Sequence, residues 1–168
     1  RCEQERHHRR GDRGAFADTF IASAGDDSYD GGAGFDTIDY SSSADAVRVD
    51  LSRSTGSGYG NDTIRNIEGV IGTSGGDRLT GDNFDNVLDG GAGDDRIDGG
   101  GGSDIIVGGA GNDTYNGGSG FDTLDFSLSA HGIEIDAQKT SITTTDGKSN
   151  YSNIEKLIGS AHDDVFLG

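Results

Sequence analysis

GGAGDDRID (90–98), GGGGSDIIV (99–107), GGAGNDTYN (108–116) and GGSGFDTLD (117–125) follow one another without a gap. Their period of nine decides how the rest of the chain is read. Extending backwards adds GTSGGDRLT (72–80) and GDNFDNVLD (81–89), which makes six consecutive units. An earlier run reads RGAFADTFI (13–21), ASAGDDSYD (22–30) and GGAGFDTID (31–39), and GSAHDDVFL (159–167) is a last unit. In each unit the first six residues predict a turn and the last three a short strand. The eighth position carries the regular apolar side chain: Tyr29, Ile38, Leu79, Leu88, Ile97, Ile106, Tyr115, Leu124 and Phe166. A three-residue strand with one inward side chain has no stability of its own. Stacked in parallel coils of two units each, such strands form a narrow continuous core. This arrangement places the sixth-position aspartates of units i and i+2 one above the other on the same edge.

A second, longer period runs through the chain. GDDSYDGGAGFDTIDYS (25–41) is echoed by GNDTYNGGSGFDTLDFS (111–127), and each echo leads into a less regular stretch, 40–71 and 126–158. Both stretches contain alternating apolar residues (Val47, Val49 and Leu51; Ile133 and Ile135) and close on related sequences, Asn66-Ile67-Glu68-Gly69-Val70-Ile71-Gly72 and Asn153-Ile154-Glu155-Lys156-Leu157-Ile158-Gly159. They predict strands that carry the solenoid through wider, metal-free coils. Residues 1–12, RCEQERHHRRGD, are basic and aperiodic and read as a disordered leader or an expression remnant. His7 and His8 there are a weak transition-metal pair.

Composition limits what such a chain can do. Only 30% of its 168 residues are hydrophobic, with 31 glycines and no Pro, Met or Trp. No thick core can form. With 30 acidic residues against 13 basic ones, the net charge is −17. Self-repulsion of that size opposes compaction unless a cation binds, and it disfavours nucleic acid and anionic membranes as partners. Cys2 is the single cysteine, so no internal disulfide is available. No apolar run reaches the ~20 residues of a spanning helix, and no signal-peptide pattern is visible.

The turn chemistry points to one ligand class. Glycines let the backbone curl so that carbonyl oxygens converge, and the aspartate adds a charged oxygen. Hard cations with six to eight flexible oxygen ligands suit such a turn, and calcium suits it better than magnesium. No His or Cys recurs in register, which disfavours soft metals.

The pattern G-G-x-G-x-D-x-(apolar)-x resembles the RTX, or hemolysin-type calcium-binding, repeat family, over about residues 13–168. The long blocks are similar to those of adenylate cyclase toxin-type members. The resemblance implies an all-β fold, a right-handed parallel β-roll with two longer insertions, holding several Ca²⁺ ions between successive coils. By position it implies side-chain ligands at Asp27, Asp36, Asp77, Asp95, Asp104, Asp113, Asp122 and Asp164. Backbone carbonyls of Gly91, Gly93, Gly100, Gly102, Gly109, Gly111, Gly118 and Gly120 would complete the shells. Asn86 and Phe84 in the unit at 81–89, and His162 in the last, depart from the pattern and weaken sites that use them. Of the pairings 72/90, 81/99, 90/108 and 99/117, the last two carry the best pattern, Asp95 with Asp113 and Asp104 with Asp122.

No catalytic constellation is present. The glycine-rich stretches precede strands rather than helices, and Gly147-Lys148-Ser149 lacks the upstream glycine of a phosphate loop, having Ile142 there. His131 and His162 are isolated and expected to be exposed. The family resemblance implies a secreted, extracellular protein passing through type I secretion machinery. The expected role is a calcium-dependent folding module. An alternative is an adhesion or polysaccharide-binding module, which predicts a basic or aromatic stripe. Arg48, Arg53, Arg65, Arg78 and Arg96 are the candidates, though scattered in sequence.

Overall fold

A computed structural model describes residues 15–168. The leader at 1–12 and the start of the unit at 13–21 lie outside the described residues. Eighteen strands follow among the described residues. The first seven are β1 Thr19–Ile21, β2 Ser28–Asp30, β3 Thr37–Asp39, β4 Arg48–Asp50, β5 Thr55–Ser57, β6 Asn61–Arg65 and β7 Gly69–Thr73. The nonapeptide run contributes β8 Arg78–Thr80, β9 Val87–Gly91, β10 Arg96–Gly101, β11 Ile105–Val107, β12 Thr114–Ser119 and β13 Thr123–Asp125. The rest are β14 Glu134–Asp136, β15 Ser141–Thr143, β16 Lys148–Ser152, β17 Lys156–Ile158 and β18 Val165–Leu167.

Alternate units feed opposite sheets. The seven-stranded sheet runs β1-β3-β7-β9-β11-β13-β17 and is parallel throughout. Its register aligns Leu88, Ile106 and Leu124, while the other sheet aligns Leu79, Ile97 and Tyr115. Both series advance by 18 residues, which is two nonapeptides per coil. The fold is therefore the all-β roll expected from the repeat.

Every eighth-position side chain is buried except one. Ile38, Leu79, Leu88, Ile106 and Leu124 are 0% exposed, whereas Phe166 is 62% exposed. Phe166 lies on β18, an edge strand that pairs with β14 alone, so no further coil covers its ring. The core is one side chain thick. Tyr40 and Phe126, which follow β3 and β13, widen it where each block ends, and Phe126 meets Tyr115 edge-on at 6.2 Å.

The stretches 40–71 and 126–158 depart from simple wider coils. Each inserts a reversing meander into the eleven-stranded sheet, whose order is β18-β14-β15-β16-β12-β10-β8-β4-β5-β6-β2. β5 runs antiparallel to both β4 and β6, and β15 to both β14 and β16, while both outer strands of each meander pair in parallel with a repeat strand. Alternation placed the inward residues correctly, since Val47, Val49, Leu51, Ile133 and Ile135 are buried. It carries no information about chain direction. The first reversal of each meander is made at Ser54 (φ +58°) or Thr140 (φ +48°), left-handed positions without glycine, whereas the β5–β6 reversal runs through Gly58 (φ +113°) and Gly60 (φ +154°).

Truncating one central core residue tests the single-file core. In saturating calcium, Ile106→Ala is expected to destabilise by about 2–5 kcal/mol, and Phe166→Ala by less than about 1 kcal/mol, in urea unfolding.

Candidate metal-binding turns

The unit at 99–107 shows how the turn is built. Gly100 (φ +97°) and Gly102 (φ +108°) occupy backbone conformations that side chains resist, and their carbonyls face the next coil. A Cβ on Gly118 would strike Gly100 O, and one on Gly120 would strike Gly102 O. Gly109 and Gly111 face Gly91 O and Gly93 O in the same way. The candidate glycines thus form ladders along the stack. Gly91, Gly93, Gly100 and Gly102 lie against Thr73 O, Gly75 O, Asp82 O and Phe84 O of the preceding coil, and each aims its own carbonyl at the glycine 18 residues on.

The sixth-position carboxylates form two columns, one per edge. On the edge feeding the seven-stranded sheet, the Asp18 N–H donates to Asp36 Oδ1 (2.8 Å), Asn86 N–H to Asp104 Oδ1 (2.8 Å), and Asp104 N–H to Asp122 Oδ1 (2.9 Å). On the other edge, Asp77 N–H donates to Asp95 Oδ1 (2.7 Å) and Asp95 N–H to Asp113 Oδ1 (2.9 Å). The expected pairs, Asp95 with Asp113 and Asp104 with Asp122, are therefore stacked.

The columns differ at the second oxygen. Asp18, Asp36, Asp104 and Asp122 each keep a buried Oδ2 that accepts no hydrogen bond. A buried anionic oxygen without a partner is costly unless a cation or proton satisfies it. Across the molecule most carboxylates are already engaged. Asp113 Oδ2 accepts from the Tyr115 hydroxyl (2.7 Å) and from Ser149 Oγ (3.2 Å), and Asp27 Oδ2 from Ser23 Oγ (2.7 Å) and the Tyr29 hydroxyl (3.2 Å). Asp77 accepts from the Thr73 N–H and hydroxyl, and Asp164 from the Ser160 N–H and hydroxyl. Asp95 is intermediate, accepting the Asp77 N–H alone. Motif position six does not distinguish these aspartates; the tyrosine at position eight and the Ser or Thr at position two of the units at 22–30, 72–80 and 159–167 carry the difference.

Burial drives the electrostatics. It pushes the Asp95 carboxyl up to about 7, helped by the Asp113 charge, although the Asp77 N–H opposes the shift. Asp104 rises to about 6 through burial and the Asp122 charge, against the Asn86 N–H. Asp122 is also raised, by burial and by Glu155. Half-buried Asp164 moves the other way, lowered by the Ser160 hydroxyl.

This chemistry fits a hard cation. Among the described residues no three His, Cys, Asp or Glu side chains gather as a metal cluster, so the turn carbonyls must supply most ligands. Calcium accepts such a mixed, flexible oxygen set. At 81–89 the fit fails: Asn86 Oδ1 accepts the Asp82 N–H (2.8 Å) and its buried amide nitrogen has no partner. Phe84 projects outward, 72% exposed. His131 and His162 are exposed.

The arginines do not remain scattered. Register aligns Arg48, Arg78 and Arg96 on β4, β8 and β10, all exposed, and among the described residues none of the three forms an ion pair. The insertion at 40–71 hides this alignment in the sequence. Arg53 instead pairs with Asp50 (3.2 Å), and Arg65 lies opposite Asp30 on β2.

A two-sheet roll with stacked acidic turns defines the class of β-roll repeat solenoid. The family model for the RTX calcium-binding nonapeptide repeat, in four copies, matches residues 14–38, 71–106 and 97–124. The chain carries RTX repeats, and RTX nonapeptide repeats bind Ca²⁺. No curated protein sequence matches the chain. No helix among the described residues is long and apolar enough to cross a membrane.

The raised carboxyls give a pH test with a definite sign. Folded values of about 7 and about 6 lie above the usual 3.8, so the folded state holds more protons over that interval. Their contribution to stability is complete below about pH 4 and is lost as pH rises through about 6–7. In excess chelator, acidification from about pH 8 to about pH 5 should raise the folded fraction seen by circular dichroism, and saturating calcium should remove this dependence.

Proposed function

We propose that this segment is a calcium-dependent folding module of an exported protein, extended without calcium and rolled up once calcium fills its turns. The observation that carries the reading is the set of buried, unpartnered carboxylate oxygens on Asp36, Asp104 and Asp122. The proposed ligands are the sixth-position aspartates with the turn carbonyls, led by the 99/117 pairing of Asp104 with Asp122. The 72/90 and 90/108 pairings rank behind it, because Asp77 and Asp113 already accept hydroxyl donors. Calcium sites of extracellular modules have Kd near 10⁻⁴–10⁻³ M, so free calcium at about ten times Kd contributes ~1.4 kcal/mol per site. Four such sites give roughly 5–6 kcal/mol, comparable with the whole stability of a small domain. In a calcium-poor cytosol that contribution vanishes and the charge of −17 remains. Folding would then follow export, consistent with type I secretion of the parent protein and an extracellular location. The module itself would have no catalytic role.

Calorimetric titration should show several calcium ions per chain, with millimolar magnesium a poor competitor. Asp104→Asn keeps an acceptor for the Asn86 N–H and removes one charge. It should weaken at least one site by about tenfold or more. Unchanged binding would sink the ligand assignment.

A second reading rests on the Arg48–Arg78–Arg96 row. Strands ~4.8 Å apart present three unpaired guanidiniums in a line, which suits a polymer of acidic sugars. The acidity of the whole chain works against it. Binding of a polyuronate to the calcium-loaded protein at low salt, lost in Arg78→Gln, would favour this reading; no binding at low salt would remove it.

A further inference from the structure

Two tripeptides outside the nonapeptide runs stand where the next turn of an edge would be. β7 pairs with β3 and β17 with β13, so Glu68 is in register with Asp36, and Glu155 with Asp122. Each glutamate takes over the role of a sixth-position aspartate. The Asp36 N–H donates to Glu68 Oε2 (2.8 Å) and the Asp122 N–H to Glu155 Oε2 (2.8 Å), as the Asp104 N–H does to Asp122 Oδ1 (2.9 Å). Two residues earlier, Asn66 (φ +50°) and Asn153 (φ +51°) are left-handed, a conformation asparagine tolerates. That conformation brings their carbonyls against the first glycine of the preceding unit. A Cβ on Gly31 would meet both Asn66 O and Asp36 Oδ2, and one on Gly117 would meet Asn153 O and Asp122 Oδ2. Asp36 and Asp122 are each 0% exposed, and those Oδ2 atoms are the ones that accept no hydrogen bond.

We propose that Asn66-Ile67-Glu68 and Asn153-Ile154-Glu155 are abbreviated calcium half-sites. Each supplies one carbonyl and one carboxylate to the ion held by the last aspartate of its run, Asp36 or Asp122. Three residues then do what six do in a full repeat turn, and each run ends on a completed site instead of a half-empty one. The proposal rests on the calcium reading above. The competing role for the glutamates is only to accept the Asp36 and Asp122 amides, which glutamine performs equally well.

That difference makes Glu68→Gln and Glu155→Gln the test, in the full chain, by calorimetric titration with calcium chloride. Each variant is expected to lose one ion, or to bind it about tenfold or more weakly, and the double variant to lose two. Far-UV spectra in saturating calcium should match the unsubstituted chain. Wild-type ion number and affinities in both variants would overturn the proposal and leave the amide-holding role. If the Glu68→Gln chain does not fold, Glu155→Gln, at an exposed position, decides alone. An unsubstituted chain that takes up no calcium would overturn the wider reading, and this one with it.

Discussion

The structure depends on carboxylates that stack, buried, once per coil. Asp36, Asp95, Asp104, Asp113 and Asp122 each accept the N–H of the counterpart 18 residues earlier. The hydrogen bonds hold the coils in register, but they also bring like charges close together in a desolvated column. A core one residue thick cannot offset that repulsion alone, and there is no internal disulfide to help. On the proposed function, a cation between the turns would resolve the conflict by converting the repelling oxygens into ligands. Gly-rich turns, short strands and high acidity all fit that one solution.

The two columns meet the conflict differently. On one edge, hydroxyls of Tyr29, Tyr115, Thr73 and Ser149 donate to the carboxylates, so part of the stack is held by neutral hydrogen bonds. On the other edge the second oxygens of Asp36, Asp104 and Asp122 receive nothing. The roll therefore combines carboxylates already satisfied by protein donors with carboxylates left without one. Tyr29 and Tyr115 occupy equivalent places in the two long blocks, and so do Glu68 and Glu155, which indicates that each block repeats the same division of labour.

Much of this was legible in the sequence, because a strict period of nine fixes both the coil length and the inward position. Leu79, Ile97 and Tyr115 align as the spacing required. Three features were not legible. Each meander makes its first reversal at Ser54 or Thr140, residues that carry no glycine or asparagine signal, and alternation of Val47 with Val49 is the same in either strand direction. Arg48 joins Arg78 and Arg96 only because the meander returns β4 to the side of β8. Whether a given aspartate is free depends on donors two to 36 residues away, such as Tyr115 and Ser149 for Asp113, so motif position alone cannot rank the sites. The similarity of the two Asn-Ile-Glu tripeptides was visible, but their place in the acidic column emerges only from strand register.

The central claim is that calcium, rather than the thin core, holds the roll together. A far-UV circular dichroism titration with calcium, starting from the chelator-treated chain near neutral pH, tests it most directly. The account predicts a disordered spectrum in EGTA that converts cooperatively to a β-sheet spectrum as calcium is added. A fully formed β-sheet signal in excess EGTA would contradict it.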